Sequence, residues 1–141
     1  MATRATYVLP AAGSNQNICF YIHYDGYLTG AAHYFYHMQQ CKNMRSGLAG
    51  RFFRANAQAE FTTCHEEHAD TEFRYAINQQ DALTVWQKDT LNDEWRTVYH
   101  DFWYQFVVRH EALYQLGVKV LAEKPNLWLS VSSFELMEVT T

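Results

Sequence analysis

Arg51 and Arg54 stand three residues apart in the segment GLAGRFFRANAQ, a spacing that projects both side chains from one side of a helix. A guanidinium presents its N–H donors as a rigid planar fork and grips a phosphate through two of them at once. The surrounding region is poor in acids and rich in rings: six of the ten tyrosines precede residue 37. Tyrosine and tryptophan faces stack on nucleobases. Arg4, Arg51 and Arg54 are therefore expected to contact phosphate, with Tyr24, Tyr27 and Trp86 stacking. The same residue types dominate protein interfaces, and a solvated helix face is the plain alternative for Arg51 and Arg54. Composition does not choose among these.

A second constellation lies in residues 19–27, CFYIHYDGY. His23 and Asp25 flank Tyr24 at the end of an alternating strand pattern. They could act as an acid–base pair, but a His and an Asp that fix a turn are commoner; both are placed among the ligand-contacting residues. Asp25-Gly26 suits a tight turn, with Gly26 expected at positive φ. His33 and His37 share a helix stripe at i, i+4 spacing.

Cys64, His65 and His68, with Cys41 at a distance, invite a zinc reading, but no CxxC pair exists. In HEEH the second histidine comes one residue too soon for HExxH, and GxSxG, Walker and GxGxxG patterns are missing. The expectation is a protein that is not an enzyme, with no metal and no cofactor.

The charge distribution narrows the partners. Residues 1–57 carry a net +4 and residues 58–141 a net −8, within an overall −4. Stable duplex-DNA binding, which needs a continuous basic face, is not expected. A small anion held by a few arginines is compatible, and so is an acidic surface that meets a basic partner. No apolar run reaches the ~18 residues of a membrane span, and the N-terminus lacks the apolar core of a signal peptide. Three cysteines, widely spaced, read as reduced thiols. A soluble protein in a cytoplasm follows.

The elements that must position these residues are legible as periods of two and of 3.6. Residues 3–9 alternate and residues 18–23 alternate, so the two form a hairpin across PAAGSNQN. Helices are expected at about residues 31–41 and 48–57, the second burying Leu48, Phe52 and Ala55. Residues 60–70 form a polar loop with a short strand near Phe61. Strands at 71–77, 82–88 and 94–100, joined by short turn-like connectors, make an antiparallel meander. The last of them places Trp95, Thr97 and Tyr99 on one face. Asp101 caps a third helix that stops near Gly117, with Phe102, Phe106, Leu113 and Leu116 on its apolar side. An edge strand at 127–131 and a tail at 132–141, either a strand or loose, complete the reading. The fold class is α+β: an antiparallel sheet of five or six strands in one domain over residues 1–141, with about three helices on one side.

The segments MATRATY, CFYIHYDGYLTGAAHYF and GLAGRFFRANAQAEF resemble a family of small tailed-phage and prophage proteins that begin with a Thr-Arg-Ala strand and carry a Tyr-Ile-His-Tyr-Asp-Gly-Tyr element before a helix. The likeness covers the first half well and the meander loosely. Leu28-Thr29 departs from the family pattern, which has a proline and an acid or small residue there. The resemblance implies an accessory protein acting in the host bacterial cytoplasm, where proteins of this size often oppose host defence. At the level of fold and chemistry alone the chain is similar to the sponges that sequester Thoeris-type nucleotide signals. The implied function is an anti-defence factor that sequesters an anionic nucleotide without cleaving it. An alternative is an inhibitor of a host defence protein, anti-CRISPR-like, with its acidic half mimicking nucleic acid. An enzyme using His23 and Asp25 stands third. The surplus of aromatics at Tyr34, Tyr36, Trp103 and Tyr104 further implies a homo-oligomer.

Overall fold

The structure is a computed structural model that describes residues 3–123 apart from Ser14 and residues 42–46. The strand expected at 127–131 and the tail 132–141 lie outside the described residues.

Alternating apolar residues build one six-stranded sheet. Strands β1 (Ala5–Pro10) and β2 (Asn17–Ile22) form the expected hairpin, Ala5 opposite Ile22. After helices α1 (Leu28–Gln39) and α2 (Gly47–Ala55), the short β3 (Glu60–Thr62) pairs with β2. A ten-residue connection, 63–72, with one helical turn at His65–Glu67, leads to the meander β4 (Phe73–Ile77), β5 (Ala82–Asp89) and β6 (Glu94–Phe102). The strand order is β3-β2-β1-β4-β5-β6, so the two halves of the chain meet at β1 and β4, and that pair is parallel. The sheet is otherwise antiparallel, and with three helices the fold is α+β as expected.

One face of the sheet carries Tyr7, Leu9, Phe20, Tyr75, Ile77, Leu83 and Val85, all buried against Phe35, Met38, Phe52 and Phe106 of the helices. Tyr7 and Tyr75 stack at 4.6 Å between centroids, and Phe52 and Phe35 close on them. The opposite face holds Thr6, Tyr21, Arg74 and Trp86, and the 63–72 connection reaches it through His65, His68 and Asp70.

Three local expectations need correction. Gly26 is not at positive φ; Asp25 takes that conformation, at φ 59°. Gly26 is there because a Cβ would lie 2.6 Å from that of Ala5. Second, the β5–β6 register shifts between Val85 and Trp86, opposite Tyr99 and Thr97, leaving Val98 as an extra residue. A bulge of this kind reverses the alternation: Trp95 faces Lys88 and Arg74, whereas Tyr99 packs on Phe106 among the helices. Third, α3 (Trp103–Glu123) begins two residues after Asp101 and continues through Gly117. Asp101 accepts from the Phe102 amide instead of capping the helix. The buried side of α3 is Trp103, Phe106, Val107 and His110, while Phe102 and Leu116 are exposed. Among the described residues no helix is long and apolar enough to cross a membrane.

Candidate functional site

Helix α2 packs through Phe52 onto Tyr7 and Phe20, and this seats Arg51 at the end of α1. Arg51 Nε donates to the Met38 carbonyl at 2.9 Å, and its guanidinium carbon lies 5.6 Å from the Trp103 ring. The same carbonyl accepts from the Cys41 amide at 3.1 Å, and the added guanidinium offsets the negative end of the helix dipole. Trp103 is fixed from the other side: its indole N–H donates to Asp81 Oδ1 at 3.2 Å and its amide to the Asp81 carbonyl at 3.1 Å. Between these elements lies an open pocket of about 380 Å³, lined by Gln39, Gln40, Arg51, Trp103 and Tyr104. A planar cation, two aromatic rings and two carboxamides therefore surround one space. The carboxamides offer donors and acceptors, the rings a stacking surface, and the guanidinium a site for an anion.

The structure scatters the other expected residues. Arg54 is exposed on α2, whereas Arg51 is half-buried, so the two do not act as one fork. Arg4 lies on the opposite face of the sheet, 3.3 Å from Asp70 Oδ2, whose carboxylate also accepts from Tyr21 at 2.6 Å. Burial, and then the bond to Asp70, push the Tyr21 phenol up to about 12. Trp86 shares that face and meets His65 edge-on. His23 pairs with Glu60, and Tyr27 donates to Asp25 at 3.1 Å, so His23 and Asp25 do not form an acid–base pair with each other. Tyr24 is 63% exposed at the turn. Of the expected ligand residues, Arg51 alone lines the pocket.

The pocket's other members carried only weak signals. Gln39 and Gln40 follow the apolar stripe of α1, and Trp103-Tyr104 stands out only as adjacent rings. Cys64, His65 and His68 do not converge: His65 Nδ1 pairs with Thr6 at 2.6 Å and His68 Nε2 with Thr62 at 2.8 Å. Burial, with Arg74 nearby, drops His65 to about 4, so it is neutral at physiological pH. A separate cluster joins α1 to α3, where His33 contacts Glu111, His37 and Tyr114.

Comparison of the chain with protein-family models, with curated proteins and with solved structures finds no match.

Proposed function

We propose that this chain captures a small anionic nucleotide-type molecule, without catalysis, in the pocket between α1, α2 and the start of α3. The observation that carries the reading is Arg51 tethered to the Met38 carbonyl beside Trp103 and Tyr104. A guanidinium already fixed in place loses little freedom on meeting a phosphate, and the neighbouring rings suit a base. In the phage setting implied by the sequence resemblance, such capture withholds a signalling nucleotide from a host defence system. Self-association belongs to the same reading. Phe102 and Tyr104 stack at 5.2 Å beside the pocket, and Val108 on the same helix is 75% exposed. A second copy laid on these residues would cover an otherwise open site.

Mimicry of nucleic acid by the acidic half has less support. Glu60, Asp70, Asp93 and Glu111 are paired with His23, Arg4, Lys88 and His33 of the same chain.

The test is calorimetry and thermal shift against a panel of ADP-ribose-type nucleotides, with recovery of the ligand by chromatography. Binding with intact recovery is expected. Arg51→Lys, which keeps the charge but loses the fork, and Tyr104→Ala should each weaken binding at least tenfold. Trp86→Phe, on the other face of the sheet, should not. A ligand recovered cleaved, or binding unchanged in both pocket variants, overturns the reading. Light scattering that gives a strict monomer at high micromolar concentration removes self-association.

A further inference from the structure

We propose that His33 and His37 form a two-imidazole site for a divalent first-row transition ion of the zinc, nickel or copper class. The residues stand one helical turn apart on α1, and their Nε2 atoms approach to 3.1 Å. With metal–nitrogen bonds of about 2.0–2.1 Å, that separation subtends roughly 95–100° at an ion. This lies between the square and tetrahedral angles that such ions adopt.

The surroundings are those of a ligating histidine. His33 Nδ1 donates to Glu111 Oε1 at 3.1 Å, which leaves the Nε2 lone pair directed at His37. Gln115 holds the same Glu111 oxygen at 2.8 Å, and Tyr114 stacks on the His33 ring at 4.1 Å, fixing its plane. A carboxylate behind a ligating imidazole orients it and raises its basicity. His37 is exposed, so an ion can arrive from solvent and the ring can turn to receive it. On binding, His37 moves its proton from Nε2 to Nδ1, and both Nε2 lone pairs go to the ion.

Among the described residues no three His, Cys, Asp or Glu side chains converge as a metal set, so water completes the coordination. Paired nitrogen ligands select borderline ions over magnesium or calcium. The site is separate from the Arg51 pocket and from Cys64, His65 and His68.

Calorimetry of the untagged chain with zinc chloride and nickel chloride, against magnesium chloride, tests the proposal. One saturable equivalent is expected for the first two ions and none for magnesium. His37→Ala, at an exposed position, should weaken binding at least tenfold with an unchanged circular dichroism spectrum. Glu111→Gln should weaken it by about 10–100-fold. His23→Ala, at a distant exposed histidine, should leave it unchanged. No saturable binding to the wild-type chain, equal affinity in His37→Ala, or an equal loss in His23→Ala overturns the proposal.

Discussion

Replacing Gly26 with alanine tests why the loop after β2 lies where it does. An ideal Cβ on Gly26 would sit 2.6 Å from the Ala5 Cβ, 2.8 Å from the Thr3 carbonyl oxygen and 3.0 Å from the Ala5 nitrogen. All three are atoms of β1 or of the backbone entering it, so none can swing aside. The loop must withdraw by roughly an ångström to restore van der Waals distance. Overpacking of this kind costs about 1–3 kcal/mol. Withdrawal also stretches the Gly26 amide bond to Thr3, now 2.9 Å, and the buried Tyr75 hydroxyl bond to the Gly26 carbonyl, now 2.7 Å. Each is worth about 1 kcal/mol, so Gly26→Ala should cost roughly 2–4 kcal/mol in all. Gly13 supplies the control: it has φ +70°, yet a Cβ there meets nothing within 4 Å. Gly13→Ala should cost only the backbone strain, about 1 kcal/mol. Thermal unfolding of both variants gives the comparison, with a separation of roughly 3–5 °C in melting temperature per kcal/mol. If Gly26→Ala is no more destabilising than Gly13→Ala, the steric reasoning is wrong.

The stacked pair Tyr7 and Tyr75 offers a contrast in sign, since the buried Tyr7 hydroxyl has no hydrogen-bond partner among the described residues and that of Tyr75 has Gly26. Tyr7→Phe should be neutral or stabilising, whereas Tyr75→Phe should cost about 1–3 kcal/mol by orphaning a buried carbonyl; denaturant midpoints for the two variants decide it. His65 titrates near 4 in the fold and near 6.5 unfolded, so it binds its proton more readily when the chain is unfolded. Its contribution to stability is therefore complete above pH 6.5 and lost as pH falls toward 4. Urea midpoints between pH 7 and pH 4.5 should fall less steeply in His65→Gln than in the wild type, and equal slopes would contradict the assignment.

Much of the sheet could be read from alternation, because Phe73, Tyr75 and Ile77 and then Leu83 and Val85 obey a period of two that burial on one face imposes. The turn chemistry around residues 78–81 and 89–93 likewise forecasts the meander. What alternation cannot carry is an inserted residue: Val98 looks like any strand residue, yet it moves Tyr99 to the helix side. Of the stripe Phe102, Phe106, Leu113 and Leu116 expected on α3, Phe106 is buried but Phe102 and Leu116 are exposed, because burial follows what packs against a helix. Here that is Phe35 of α1 and Tyr99 of β6, which select Trp103 and Phe106. Arg51 could be singled out from its type and setting. Its pocket could not, since Gln39, Gln40, Trp103 and Tyr104 come from segments far apart in sequence. The same is true of Arg4, whose partner Asp70 arrives only because residues 63–72 cross between β3 and β4.

The parallel β1–β4 seam sets an order on folding. Ala5 pairs with Phe73, 68 positions later, whereas the hairpin and the meander each close through short turns. Bringing such distant segments together costs roughly 4 kcal/mol of chain entropy beyond a fixed constant, so the seam should form after both local halves. On a ribosome adding about 5–20 residues per second, β1 waits roughly 3–14 s for its neighbour. Through that interval the backbone of residues 5–8 presents an unpaired strand edge of sequence ATYV, open to the same strand of another nascent chain. The hazard in making this protein therefore lies at what becomes the centre of its sheet.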